Sequence, residues 1–332
     1  MLGIRTAHRR RSHIMASAAA LAVTMILMPT LSHAGSWPER IVRITTASAP
    51  GSSVDVVARL FAERLAERWR QPVIIDGRPG ADGILAVQAF LHANDGHNLL
   101  FTFPGTVTVV PLLHESLPYD PVGDLAPISS AAYDFGTVAV TATLPVSSLA
   151  ELVAFAKARP GSLNWAASPG APYLTFLEFQ RRAGFAMTYV SYRTAVLALP
   201  DLMAGQIQLT IMPLGAALPL ARDGRIKLLA VTTPERAVVA PDLPTAIEAG
   251  FPELTVEAPL GLFGPKTMSM ELRERIAGDV RLLASDPTIK QRLSDFGMVA
   301  RGSTPTEYAA MLAEQSAKWA AFARIHGVRP QP

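Results

Sequence analysis

The residues of this 332-residue chain whose types and spacing suit chemistry lie in loops, and the chemistry they suit is anion binding. Ala49–Asp55, read as APGSSVD, sets a Pro-Gly turn and two hydroxyls between an apolar run and a long amphipathic segment. The first N–H groups of a helix lack intrahelical partners, and the helix dipole makes that end positive. A carboxylate can settle there without a basic side chain. Ser52 and Ser53 would add hydroxyl donors, and Gly51, after Pro50, would let a ligand approach the backbone. The same letters also spell an ordinary helix start, in which Ser52 caps and Asp55 completes a capping box with no ligand involved. Spacing alone leaves both readings open.

Three more loops share this chemistry. They are Thr102–Thr108 (TFPGTVT, with Gly105 and Thr106), Ala166–Tyr173 (AASPGAPY, with Ser168, Gly170 and Tyr173) and Ser191–Ala195 (SYRTA, with Arg193 and Thr194). Each follows a strand-like segment, and such loops at one end of parallel sheets would line a cleft. Arg193 either faces a carboxylate or is simply solvated.

Other chemistries find little support. Only His92, His97, His114 and His326 lie beyond the N-terminal segment, none at metal-ligand spacing, and there is no cysteine. The chain has no nucleophile elbow and no Walker sequence, and Gly77–Gly83 (GRPGADG) reads as a turn feeding a helix. No cofactor or metal is expected. An α/β enzyme would have to assemble its groups from distant positions.

The elements that must position these loops alternate. RIVRITTA (Arg40–Ala47) reads as a strand and SSVDVVARLFAERLAERW (Ser52–Trp69) as a helix. PVIID, ADGILAVQAFLHA and NLLFTF continue the β-α-β order. TVAVTA, a helix capped by Ser148 with Glu151, LNWAAS, PYLTFLEFQRRAG, MTYVSY, AVLALPDLMAG, IQLTIMPL and IKLLAVTT repeat it. VEAPLGLFGPK is extended. Helices follow through Leu272–Leu283, from Asp286-Pro287, and from Thr304-Pro305 with Glu307 closing a box. This pattern implies parallel-rich sheets with helices on their faces, in two units with a ligand cleft between them.

The N-terminal segment is different. Arg5, Arg9, Arg10 and Arg11 precede an uncharged apolar run, and Ser32-His33-Ala34 has the form of a cleavage site. We read residues 1–34 as a secretory signal peptide cleaved near Ala34; an uncleaved anchor is the rival. Without those four arginines, 26 basic residues face 27 acidic ones, which gives no electrostatic case for nucleic acid.

A run of segments in order carries a family resemblance: APGSSVDVVARLFAERL, QPVIIDGRPGADG, LPYDPVGDLAPIS, SLAELVAFAKARPGSLNWA, VSYRTAVLALPDLMAGQIQ, APDLPTAIEAGFP and GLFGPK. It resembles the Bug-type extracytoplasmic receptors of tripartite tricarboxylate transporters, from about Trp37 to Val328. The resemblance implies a periplasmic, monomeric, non-enzymatic solute-binding protein. Its fold would be α/β and periplasmic binding protein type II-like, with two domains joined by a two-crossing hinge near Tyr133–Thr137 and Glu257–Phe263. Domain 1 would comprise 35–134 and 258–332, and domain 2 would comprise 135–257. The implied partners are a small carboxylate ligand and the membrane subunits of the transporter, with a signalling sensor as the alternative to the transporter.

The resemblance also favours APGSSVD as one arm of a carboxylate pincer. The implied ligand-binding set is Pro50, Gly51, Ser52, Ser53, Asp55, Gly105, Thr106, Ser168, Gly170, Tyr173, Arg193 and Thr194. Several positions depart from the family pattern toward apolar residues, among them Val110, Pro172 and Met212. Met212 stands where an acidic residue is frequent. The expected ligand is therefore a carboxylate with an apolar or aromatic body, rather than an amino acid needing an acidic partner for its ammonium group.

Overall fold

The computed structural model describes residues 37–93, 95–168, 170–192 and 195–330. The signal-peptide segment, Arg193 and Thr194 lie outside the described residues. The chain divides into two units, Met1–Glu39 and Arg40–Pro332, and the second holds all the elements below.

The first half of that unit runs β1 (Val42–Thr46), α1 (Ser53–Trp69), β2 (Val73–Gly77), α2 (Ile84–Ala93), β3 (Asn98–Thr102), the short helices α3 (Gly105–Thr108) and α4 (Val110–Leu113), and β4 (Leu125–Asp134). There follow β5 (Gly136–Thr141), α5 (Leu149–Lys157), β6 (Asn164–Ala167), α6 (Ala171–Ala183), β7 (Thr188–Tyr189), α7 (Leu199–Met203), β8 (Leu209–Pro213), α8 (Leu214–Arg222) and β9 (Ile226–Val231). The chain ends with β10 (Ala258–Pro265), α9 (Met270–Ala284), α10 (Pro287–Asp295), β11 (Met298–Ala300) and α11 (Pro305–Ile325).

Local chemistry starts these helices where the sequence signals them. Ser52 Oγ accepts from the Asp55 N–H, Ser148 Oγ from the Glu151 N–H, and Asp286 from the Thr288 and Ile289 N–H groups ahead of Pro287. Thr304 and Glu307 form a reciprocal capping box at α11. Each satisfies backbone donors that the helix itself cannot.

Two sheets result. One has the order β11-β4-β10-β3-β1-β2, the other β7-β6-β8-β5-β9. Both are mixed rather than parallel-rich. β1 pairs parallel with β2 and β3, and β6 with β7 and β8. The strands that arrive from the other sheet enter antiparallel: β10 against β3 and β4, and β5 against β8 and β9. A parallel neighbour needs a crossover on the sheet's own face, and a strand that enters from another lobe has none.

Each sheet and its helices enclose an apolar core, one around Val87, Phe90, Leu100, Phe263 and Tyr308, the other around Trp165, Phe176, Phe179 and Leu209. A smaller cluster joins the lobes: Val109, Leu174 on α6, Val256 and Trp319 on α11. A polar contact lies beside it. The Glu178 carboxylate on α6 is fully buried and holds Arg181 at 2.7 Å, Arg182 at 2.6 Å, and His326 at the end of α11 at 3.0 Å.

Hydrogen bonding to Arg181, and then to Arg182 and His326, depresses the Glu178 carboxyl to about 2, against the opposing effect of burial. A depressed carboxyl supplies its stability above its unfolded range and loses it as pH falls toward the folded value. Glu178→Gln should therefore cost about 1.5–3 kcal/mol in denaturant titration at neutral pH. The deficit relative to the natural protein should shrink between about pH 4.5 and pH 2. An unchanged deficit at low pH would mean that packing, not charge, carries the contact.

Candidate functional site

The chain passes between the lobes twice, and the two crossings touch. The first runs from Asp134, at the end of β4, through Phe135 to Gly136. The second ends at Val256–Glu257, just ahead of β10. Thr232 fastens both, since its N–H donates to the Gly136 carbonyl at 2.8 Å and its carbonyl accepts from the Val256 N–H at 2.7 Å. Gly136 has no alternative here, because a Cβ would lie 2.4 Å from Thr232 Oγ1. Within the expected windows, Tyr133 and Asp134 end β4 and residues 258–263 lie in β10, paired with β3 and β4.

Beside these crossings lies a cavity of about 340 Å³, within the usual range for small-molecule sites of roughly 300–1,000 Å³. Its wall is mostly apolar: Phe103, Val109, Val110 and Leu113 from one lobe, Ile211 and Met212 from the other, with Trp319 of α11. Three carboxylates border it, Asp82, Asp134 and Glu257, and no Lys, Arg or His among the described residues does.

Of the residues anticipated from sequence, Gly105, Thr106, Ser168 and Gly170 line this cavity. Gly170, at φ +97°, holds a backbone conformation closed to most side chains and sets the start of α6. The Ser168 hydroxyl accepts from the Ala195 N–H at 3.1 Å, and the Thr106 hydroxyl lies 2.9 Å from that of Thr102. Pro50, Gly51, Ser52, Ser53, Asp55 and Tyr173 are not in the lining. Ser52 caps α1, and Asp55 accepts from the Gly51 N–H at 2.9 Å and from Arg59 at 3.0 Å. Tyr173 faces Trp165 and Tyr189, at ring separations of 5.7 and 4.7 Å. The departures noted at Val110, Pro172 and Met212 all do border the cavity.

Three lining residues were not anticipated. Thr108 and Trp319 are 2% and 1% exposed, and neither the Thr108 hydroxyl nor the Trp319 indole N–H has a hydrogen-bond partner. A buried donor left unpaired is costly unless something else pairs it. Asp134 is the third. It is 5% exposed, and burial raises its carboxyl to about 6, with the Ser53 hydroxyl beside it offsetting part of that rise. Met212 brings no acid to the cavity, but Asp134 brings one from the crossing strand. A lone charge in the uncharged run AAYDFGTVAVT was the available signal.

An acid whose folded value is raised lowers stability as pH climbs through that value. Asp134→Asn should accordingly raise the melting temperature at pH 7.5 by several degrees, the gain of about 3 kcal/mol vanishing below about pH 4. Equal melting temperatures at pH 7.5 would show that the carboxylate is not desolvated.

Residues 57–328 match the family described as "Tripartite tricarboxylate transporter family receptor". The chain is 30% identical to Protein BugT of Bordetella pertussis, over 89% of this chain and 92% of that one. A solved R. palustris protein with adipate is 30% identical, with a TM-score of 0.80, covering 89% of this chain and 100% of that one. MatC from Rhodopseudomonas palustris, with bound malate, is 28% identical with a TM-score of 0.73, covering 86% and 99%. A two-lobed α/β body with a cavity walled by both lobes agrees with these matches, and the chain belongs to the tripartite tricarboxylate transporter receptors, a family of Bug-type periplasmic solute-binding proteins rather than enzymes.

Proposed function

We propose that this receptor clamps a small carboxylate with an apolar body in the cleft between its lobes, and delivers it to the membrane subunits of a tripartite tricarboxylate-type transporter. It would act as a monomer in the periplasm after removal of residues 1–34. The observation that carries the reading is the cavity itself. It has an apolar wall drawn from both lobes, which suits a ligand with an apolar body. A carboxylate is an acceptor-only group, which hydroxyl and backbone N–H donors suit. Ser168, Gly170, Gly105 and Thr106 complete the polar part of the wall. Arg193 and Thr194 belong to the same proposed set. The Pro50–Asp55 loop contributes through Ser53, whose hydroxyl stands beside Asp134.

The adipate and malate in the two similar structures support a carboxylate class. A ligand that touches both lobes favours the closed state by its differential affinity, and closure would be what the transporter reads. Among the described residues no helix is long and apolar enough to cross a membrane.

Thermal unfolding against a panel of mono- and dicarboxylates tests the reading. A carboxylate at 100 times its dissociation constant adds about 2.7 kcal/mol, a rise of several degrees. If no carboxylate moves the transition, the proposed ligand class is wrong.

A further inference from the structure

We propose that a groove behind the crossings sets the affinity of the cleft. Val238 and Val239 of one lobe, with Lys290, Gln291 and Ser294 of the other, are positioning residues for closure that border the groove and not the cleft cavity. The inference rests on the reading that a solute closes the lobes, and adds where the balance of that motion is held.

The two faces of the first crossing carry it. Asp134 and Gly136 border the cleft cavity, while the Phe135 side chain between them packs among Leu214, Val231, Ala237 and Val299. Extended chain sends successive side chains to opposite faces. On the Phe135 face lies a second hollow, of about 410 Å³. Its walls come from both lobes: residues 237–239 after β9, and α10 with β11. Among the described residues Phe135 alone borders both hollows.

Between cleft and groove the lobes meet backbone to backbone. The Phe135 N–H donates to the Gly297 carbonyl at 3.4 Å, and the Phe135 carbonyl accepts from the Leu214 N–H at 2.7 Å. A Cβ on Gly215 would lie 2.2 Å from the Phe296 carbonyl oxygen, and one on Gly297 would lie 2.9 Å from the Gly215 nitrogen. With no side chain between them, the start of α8 and the turn before β11 cannot approach further. Such a contact is a pivot: a rotation about it that narrows the cleft widens the groove. The groove walls already meet at one exposed pair next to them, Glu235 with Arg301 at 3.5 Å.

Contacts across the groove are lost as the cleft closes, so they favour the open state and are subtracted from what a ligand gains by closure. Bulk placed inside the groove acts in the opposite sense. It forces the walls apart and closes the cleft with no ligand present. Apparent affinity scales with the closed fraction, so raising that fraction from about 5% to about half tightens any cleft ligand about tenfold.

The chain has no cysteine, so Ser294→Cys puts a single thiol on the groove wall. Attaching a methyl or a biphenyl group to it through a reducible disulfide varies only the volume in the groove. Small-angle X-ray scattering of the ligand-free protein should give a smaller radius of gyration for the biphenyl adduct and no change for the methyl adduct. In calorimetric titration with adipate and 3-phenylpropionate, whichever acid binds the natural protein should bind the biphenyl adduct about tenfold more tightly. Reduction of the disulfide should restore both values. If the Ser294 variant folds poorly, Val238→Trp adds bulk from the other lobe, at a position 77% exposed, with the same results expected. Bulk that leaves the radius of gyration unchanged or larger, or that compacts the protein without tightening a ligand that binds, overturns the inference and leaves the receptor reading standing. If neither acid binds any form, the proposed ligand class is overturned, and the scattering alone decides the groove.

Discussion

Two connections between sheets must both pass within hydrogen-bonding distance of Thr232, and the rest of the structure is arranged around that passage. Thr232 supplies the junction, bonded through its N–H to the first crossing and through its carbonyl to the second. The requirement reaches the sequence directly. Gly136 faces a buried Thr232 hydroxyl at a distance no Cβ tolerates, and Leu214 at the start of α8 donates to the Phe135 carbonyl at 2.7 Å, so the strand, the turn and the helix behind it hold one another. Because the crossings are pinned together, the space beside them is bounded by both lobes, and any solute held there senses both.

The same geometry explains how a carboxylate comes to be buried at a cost to stability. Asp134 cannot retreat: β10 and β11 hold its backbone from either side. A group that burdens the folded state and persists in a cavity marks a binding function more convincingly than a surface charge does. The Glu178 cluster shows the contrast. It too is a buried carboxylate, but two arginines and a histidine satisfy it within the protein, and it ties α6 to the end of α11.

Much of this architecture was legible in the sequence. The alternating β-branched run at 42–46, the caps at Ser148, Asp286 and Thr304, and the stop at Gly184, which adopts the left-handed conformation at φ +69°, are local signals with local causes. The long strand β4 was not, because LAPISSAAYD lacks alternation; both its faces are covered, and Ser129 and Ser130 bond to the chain near Ser303 across more than 170 residues. The mixed strand directions were hidden for the same reason, since they follow from which lobe a strand comes from. In the site, the loops carrying Gly105, Thr106, Ser168 and Gly170 were legible as small, polar turns after strands. The loop at 50–55 offered two meanings, a cap and an anion cradle; its Ser52 and Asp55 hydrogen bonds are those of the cap. Asp134, Thr108 and Trp319 come together from three distant segments, and no local pattern announces such a meeting.

The helix α11 connects these threads. One stretch of it, near Gln315 and Trp319, forms part of the cavity wall, and Gln315 and Lys318 bind the carbonyls of Glu257 and Thr255 on the second crossing. Its last residues reach across to Glu178. One helix thus serves a core, the cleft wall and the tie to α6 at once: Tyr308 packs into the first core, Trp319 walls the cavity and His326 reaches Glu178, so a chain cut before it would lose a side of its vessel and part of the floor beneath it.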